Sequence, residues 1–157
     1  MTCRPPYGRL GAASCHNLYR NGVSTEDMEP DLVTDPKHLD VLHELMKREP
    51  IFHRAELGTT RFDFENMTEQ EFWEVGASGR RYSRQYVLDT LEQRYKNPGQ
   101  DVWETRDFHC LELARDNYLL TYTLLQGERV TRRSTIWRQC GVEWKIVYHQ
   151  GTIVEDR

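Results

Sequence analysis

The stretch WKIVYHQGT, residues 144–152, decides the fold of this chain because it closes a long series of strand-like segments. It follows RRSTIWR, residues 132–138, across a Cys140-Gly141 turn, and both stretches are rich in the β-branched and aromatic residues that favour strands. Residues 102–126 carry two more segments of the same kind, joined by connections of hairpin length. The last third of the sequence therefore predicts a four-stranded antiparallel meander.

Helical signals come before this meander. Asp35 and Pro36 are typical of a helix start, and apolar residues recur at three- and four-residue intervals from there to about Glu49. Pro50 is expected to begin a continuing or kinked helical segment that ends near Gly58. The elements predicted next are a short helix within 60–69, a strand over 71–77, and a helix over 84–95 that Ser83 caps. Helices first and a meander last make an α+β pattern.

The composition is that of a globular domain with a polar surface. The chain has 157 residues, 38% of them hydrophobic and 29% charged, and a formal net charge of -4. No apolar run is long enough to cross a membrane, and no broad basic field is present to neutralise nucleic-acid phosphates. We therefore expect neither a membrane nor a nucleic acid as partner. The lack of a secretory signal pattern makes the cytoplasm the expected location.

The start of the chain differs from the rest. Residues 1–34 combine prolines and glycines with scattered polar residues and show no apolar periodicity. This pattern predicts an irregular leader. One α+β domain is expected to follow it over residues 35–157.

The order of these elements and three motifs resemble a known superfamily. The motifs are FWEVGASGR at 72–80, YSR at 82–84 and the closing WKIVYHQGT at 144–152. From Asp35 to Ile153 the sequence resembles the nuclear transport factor 2 superfamily. More closely, it is similar to that superfamily's bacterial domain of unknown function, which is related to SnoaL-like cyclases and ketosteroid isomerases. The resemblance implies a cone-shaped roll of N-terminal helices packed on a curved, mainly antiparallel sheet, with a cavity inside and a homodimer formed through the sheet.

This fold carries many functions, so the resemblance alone does not select one. We expect a pocket domain that binds a small apolar or aromatic molecule and needs no cofactor. The alternative is an isomerase, dehydratase or cyclase that uses acid-base chemistry in the cone. A second alternative is a non-catalytic dimerisation or association domain.

Alternation along the closing hairpin divides its side chains between two faces. A tight turn would place Trp137 opposite Trp144. The aromatic face would then hold Trp137, Trp144, Ile146 and Tyr148, and the mixed face Ser134, Ile136, Val147 and His149. We expect the mixed face to line the cavity, because ligand pockets combine apolar walls with a few polar groups. The reverse assignment stays open.

Glu74 and His149 are the candidate catalytic residues. A carboxylate that points into an apolar cone has a raised pKa suited to proton transfer, and imidazole titrates near neutral pH. The structural alternatives are an acid that anchors the neighbouring arginines or backbone amides, and a core histidine that hydrogen-bonds to the next strand.

Four further residues are candidates for ligand binding. Tyr122 and Ser134 carry hydroxyls that would donate hydrogen bonds to a ligand oxygen, and Trp73 and Trp103 offer rings on which a flat ligand would stack. Packing of the sheet is the alternative role for the aromatic side chains.

No metal site is predicted. The four cysteines lack C-x-x-C spacing and do not lie beside histidines at zinc-finger intervals. Glu49 and His53 share one face of the expected helix, which suits a metal pair or a surface ion pair, but no third ligand follows at a clear spacing.

Overall fold

The computed structural model describes residues 29–97, 99 and 102–155. The chain divides into two units, residues 1–32 and 33–157, and the helices and strands named below all belong to the second. The predicted leader, residues 1–34, lies largely outside the described residues, and its boundary with the domain at residue 35 stays a prediction.

Within the described residues the structure contains three α-helices and six strands. The helices are α1 (Leu39–Met46), α2 (Arg61–Met67) and α3 (Arg84–Lys96), and 3-10 turns lie at Pro36–His38 and Ala55–Leu57. The strands are β1 (Thr68–Val75), β2 (Arg81–Ser83), β3 (Glu104–Ala114), β4 (Asn117–Gln126), β5 (Arg129–Cys140) and β6 (Glu143–Ile153).

All six strands form one mixed sheet with the order β2-β1-β6-β5-β4-β3. Strands β3 to β6 pair antiparallel in chain order, which confirms the predicted meander. Strand β1 runs parallel to β6, and the short β2, which the sequence did not predict, pairs antiparallel with β1. The predicted α+β class with a mainly antiparallel sheet is confirmed.

Local sequence explains where α2 and α3 begin. Thr60 and Asp63 form a capping box, in which each side chain accepts a hydrogen bond from the backbone amide of the other residue. Ser83 caps α3 as predicted, and its hydroxyl accepts a hydrogen bond from the Tyr86 amide. Both caps use backbone donors that have no partner within the helix.

The first helix is shorter than predicted. Helix α1 ends at Met46 rather than Glu49, and residues 47–54 form turns and bends instead of a continuing helix. Pro50 disfavours helical backbone at the residue before it. The Glu49 carboxylate then accepts a hydrogen bond from the Ile51 amide, at 2.8 Å, which holds the bend. We call residues 47–54 the hub loop, because the buried side chain of Glu49 lies at the centre of the site described below.

The helices cover one face of the sheet, which we call the inner face. Its buried side chains are Phe72, Cys110, Tyr118, Leu120, Tyr122, Leu124, Trp137, Trp144 and Ile146. They form one core with Leu42, Leu45, Phe64, Val87, Leu88 and Leu91 of the helices. The burial of this apolar surface is the main favourable contribution to folding.

The opposite, outer face is also partly apolar. Trp73 is 44% exposed there, and its ring contacts that of Tyr148 with centroids 4.7 Å apart. Leu111 and Leu113 of β3 are about half exposed. A homodimer that covers this face stays a prediction.

A bulge in β6 overturns the predicted faces of the closing hairpin. Cys140 pairs with Glu143, so the turn lies at Gly141-Val142 and Trp137 pairs with Ile146 rather than with Trp144. The next pair is Ile136 with Tyr148, so Val147 is an extra residue in β6. The alternation along β6 is therefore reversed after Ile146. Trp137, Trp144 and Ile146 lie on the inner face together with His149, whereas Tyr148, Ile136 and Ser134 lie on the outer face. The prediction that a mixed face with Ser134, Ile136, Val147 and His149 lines the cavity is wrong.

Candidate functional site

A cavity of about 270 Å³ lies between helix α3, the hub loop and the inner face of the sheet. Its apolar wall consists of Ile51, Phe52, Val87 and Leu91, and its aromatic hydroxyl side chains are Tyr82 and Tyr86. The remaining polar lining residues are His53, Glu74, Thr90, Arg94, Arg133 and His149. Both candidate catalytic residues, Glu74 and His149, therefore lie in the wall of one cavity.

The buried carboxylate of Glu49 lies behind this wall and accepts four hydrogen bonds. Glu49 is fully buried, and its donors are the Tyr122 hydroxyl at 2.8 Å, the Thr135 hydroxyl at 2.6 Å, the Trp137 indole at 3.2 Å and the Ile51 amide at 2.8 Å. Burial raises the pKa of Glu49, and these four hydrogen bonds oppose the rise. We call this arrangement the Glu49 hub.

A chain of hydrogen bonds connects the Glu49 hub to the cavity. The Thr135 hydroxyl donates to Glu49, and it also lies 3.0 Å from Nδ1 of His149. Nε2 of His149 lies 3.2 Å from a terminal guanidinium nitrogen of Arg133, which can only donate. This network assigns the proton of the neutral imidazole to Nδ1, because Nε2 accepts from Arg133 and Nδ1 donates to Thr135.

His149 is neutral in this environment. Burial, followed by the positive charges of Arg133 and His53, lowers the pKa of His149 to about 3. The imidazole is therefore a hydrogen-bond link between Arg133 and Thr135 at neutral pH. Sequence reasoning placed His149 in the cavity correctly but expected it to titrate near neutral pH.

Glu74 has a different environment. It pairs with His149 across the parallel β1–β6 ladder, and its carboxylate faces the cavity. Among the described residues no side chain or amide lies within hydrogen-bond or ion-pair distance of this carboxylate. Burial raises the pKa of Glu74, and the charges of Arg133 and Arg94 act against that rise. Its own protein contacts thus leave the carboxylate available to a ligand.

The four candidate ligand-binding residues lie outside the cavity lining. Tyr122 is buried on the inner face, where it donates to Glu49 and stacks on Phe108 with ring centroids 5.0 Å apart. Ser134 and Trp73 lie on the outer face. The ring of Trp103 lies under the guanidinium of Arg54, at 4.5 Å from its centroid.

Sequence reasoning missed Glu49, Arg133 and Arg94 as site residues. Glu49 was considered only together with His53, as a metal pair or a surface ion pair on one face of a helix, and the structure has no helix at these positions. Regular alternation along β5 places Arg133 on the same face as Thr135 and Trp137, so this position was within reach of the sequence pattern. No signal in the sequence distinguishes Arg94 from the other exposed positions of α3.

Three further observations concern the described residues. Within the described part of the chain, no group of three or more His, Cys, Asp or Glu side chains is placed to hold a metal ion. A second cavity, of about 100 Å³, lies on the other side of the hub loop with mainly apolar walls, and it shares Ile51 and Phe52 with the first. Among the described helices, none is long and apolar enough to cross a membrane.

We predict that Glu49→Gln lowers the free energy of unfolding by about 1–3 kcal/mol. The side-chain amide of the new glutamine keeps one oxygen that accepts hydrogen bonds. Its NH2 group replaces the other oxygen and faces groups of the hub that are themselves hydrogen-bond donors. Denaturant unfolding at neutral pH measures the change. Glu56→Gln is the matched control, because the Glu56 side chain is 65% exposed and should change stability by less than about 0.5 kcal/mol. Equal effects of the two substitutions would contradict a structural role for the hub.

We predict a pH dependence of stability that His149→Gln removes. Since the folded-state pKa is lowered from 6.5 to about 3, the unfolded chain binds a proton at His149 in this window that the folded chain does not. Stability is therefore lost as the pH falls below 6.5, by about 1.4 kcal/mol per pH unit. The raised pKa values of Glu49 and Glu74 act in the opposite sense above pH 4.5, where the folded chain holds the extra proton.

The measurement is the difference in unfolding free energy between the wild type and His149→Gln at several pH values, in which the contributions of the other groups largely cancel. The advantage of the wild type should shrink steadily as the pH is lowered. Parallel curves for the two proteins would contradict a neutral, buried His149.

Solved structures share the fold of this chain and little of its sequence. No family model and no curated protein matches the sequence. An NTF2-like protein from Cytophaga hutchinsonii has a TM-score of 0.57 and 9% identity over 77% of this chain and 100% of that one. An NTF-2-like protein of unknown function from Silicibacter pomeroyi has a TM-score of 0.52 and 17% identity over 78% of this chain and 100% of that one.

A protein of unknown function of the DUF3225 family from Pectobacterium atrosepticum has a TM-score of 0.55 and 14% identity over 78% of this chain and 100% of that one. At these identities the likeness concerns the fold alone. The chain has the nuclear transport factor 2-like fold that its sequence predicts.

Proposed function

We propose that this protein binds a small apolar or aromatic molecule in the cavity between α3, the hub loop and the sheet. The observation that carries the proposal is the cavity itself, which combines an apolar wall with a few polar groups directed at one space. Its volume of about 270 Å³ lies just below the usual range of about 300–1,000 Å³ for ligand pockets. The expected ligand is therefore small.

The aromatic side chains of the cavity support a flat ligand. The rings of Tyr82 and Tyr86 are stacked with centroids 4.9 Å apart and an interplanar angle of 11°. Phe52 of the hub loop lines the same cavity. Gly76 leaves room for this arrangement, since a Cβ there would lie 2.8 Å from the Tyr82 ring.

A cytoplasmic location and a homodimer stay predictions of the sequence.

A second candidate function is acid-base catalysis, and Glu74 is the observation that favours it. Its carboxylate lies in the cavity wall, its pKa is raised by burial, and no protein group bonds to it among the described residues. A carboxylate of this kind removes a proton from a bound substrate and returns it elsewhere, as an isomerase, dehydratase or cyclase requires. The tautomer of His149 makes it a positioning group for Arg133 rather than the base.

We predict that small aromatic molecules stabilise the protein and that Thr90→Trp removes this effect. A ligand at about 100 times its Kd raises the free energy of unfolding by about 2.7 kcal/mol. Thr90 is exposed and lines the cavity, so an indole at this position fills the space without displacing the core. Gln93→Trp is the matched control, because Gln93 is exposed on the same helix and does not line the cavity. A thermal-shift screen measures both. A broad panel without any hit, or hits that Thr90→Trp retains, would contradict the proposal.

For the catalytic candidate, we predict that the protein exchanges an acidic C–H proton of a bound ligand with solvent deuterium. Glu74→Gln should slow this exchange by a factor of about 100 or more, since the amide cannot accept the proton. Proton NMR of the screened ligands measures the rate. Glu71→Gln on the exposed side of the same strand should leave it unchanged. Absence of exchange for every ligand that binds would leave binding as the function.

A further inference from the structure

Arg133 is a partly buried cation that its neighbours do not neutralise by direct contact. Its Nε donates to the Thr131 hydroxyl at 2.9 Å, and one terminal nitrogen donates to Nε2 of His149 at 3.2 Å. Both partners are neutral, because the pKa of His149 is far below 7. In the described part of the chain no carboxylate lies within ion-pair distance of this guanidinium. Burial of a charge without a paired counter-ion is costly, so Arg133 is a group for which a ligand anion is the missing partner.

The absence of a side chain at Gly151 leaves space for the guanidinium group of Arg133. Gly151 pairs with Arg133 across the β5–β6 ladder, and a Cβ at this position would lie 3.0–3.3 Å from three atoms of the guanidinium group. Glycine inside a strand weakens the strand and often marks a close approach of another group. Thr131, His149 and Gly151 together fix the Arg133 side chain in the cavity wall, and its second terminal nitrogen has no hydrogen-bond partner among the described residues.

The other charges around the cavity do not cancel this cation. Burial lowers the pKa of Arg133 and the charge of Arg129 acts in the same sense, whereas Glu49 and Glu74 oppose the fall from a distance. Glu49 is shielded by its four hydrogen-bond donors and does not line the cavity. The lining also includes the cation Arg94, at the exposed end of the cavity near the carbonyl of Phe52. Arginine residues thus outnumber carboxylates in the lining.

We propose that the ligand of this cavity is a small organic acid, whose carboxylate binds Arg133 and whose apolar body packs against Phe52, Val87 and Leu91. This inference rests on the proposed binding function and adds the chemical class of the ligand. The planar guanidinium matches the two oxygens of a carboxylate. The apolar wall favours an organic body over a bare inorganic anion. Arg94 lies where it strengthens the attraction of the acid to the cavity entrance.

Paired probes test the inference on the wild-type protein without any substitution. Benzoate and phenylacetate are compared with benzamide and phenylacetamide, which have the same shape and no charge, by isothermal titration at neutral pH. We expect each carboxylate to bind at least tenfold more tightly than its amide. If amides bind as tightly as acids, the binding function stands and the assignment of an organic acid is overturned. If none of these probes and no other small aromatic molecule binds, the binding function itself is overturned.

Substitutions test the role of Arg133. Arg133→Met should remove the preference for carboxylates, and Arg115→Gln, which removes the same charge at a position that is 94% exposed and outside the cavity, should keep it. Retention of the preference in Arg133→Met would overturn the assignment.

Gly151→Ala offers a second test with the charge intact, because its methyl group displaces the guanidinium, and the preference should fall severalfold. Binding of inorganic phosphate as tightly as benzoate would replace an organic acid by a simple anion and would also overturn it.

Discussion

The arrangement of the site depends on the burial of one carboxylate, that of Glu49. Removal of a carboxylate from water costs several kcal/mol of desolvation free energy, and hydrogen bonds inside the protein must offset this cost. Tyr122 of β4, Thr135 and Trp137 of β5, and the Ile51 amide of the hub loop supply them. Because these donors belong to different elements, the hub loop has one satisfactory position on the sheet. The place of the cavity wall follows from that position.

The hub loop also holds Phe52 in a conformation that an isolated chain would avoid. Phe52 has a φ of 62°, in the left-handed region that non-glycine residues rarely adopt. Its ring lies edge-on to Phe64 and Phe72, and its carbonyl accepts a hydrogen bond from the Tyr95 hydroxyl at 2.8 Å. Contacts on both sides of the residue therefore stabilise a backbone that is strained locally. Phe52 separates the two cavities as a result.

The fold was predictable because its signals are local and redundant. Caps, alternation and hairpin-length turns each pointed to the same elements, and the strands of the meander differ from prediction only near their ends. The site was predictable only where alternation holds, as for Glu74 on β1. His149 was placed correctly in the cavity, although the face assigned to it was wrong. The bulge at Val147 and the bend at Pro50 each depend on tertiary packing, and these two irregularities bring His149 and Glu49 to the inner face.

Two neutral side chains, His149 and Thr135, connect Arg133 to Glu49 by hydrogen bonds, and this arrangement decides which charged group lines the cavity. A direct ion pair between these residues would cancel both charges and leave a polar wall of low affinity for ions. Instead, His149 and Thr135 separate the two charges, and each charge is satisfied by neutral donors or acceptors. The carboxylate of Glu49 is enclosed by its four donors, whereas Arg133 lines the cavity. Glu49 therefore favours the charged form of Arg133 only from a distance, which supports the proposal that a ligand anion completes the partners of Arg133.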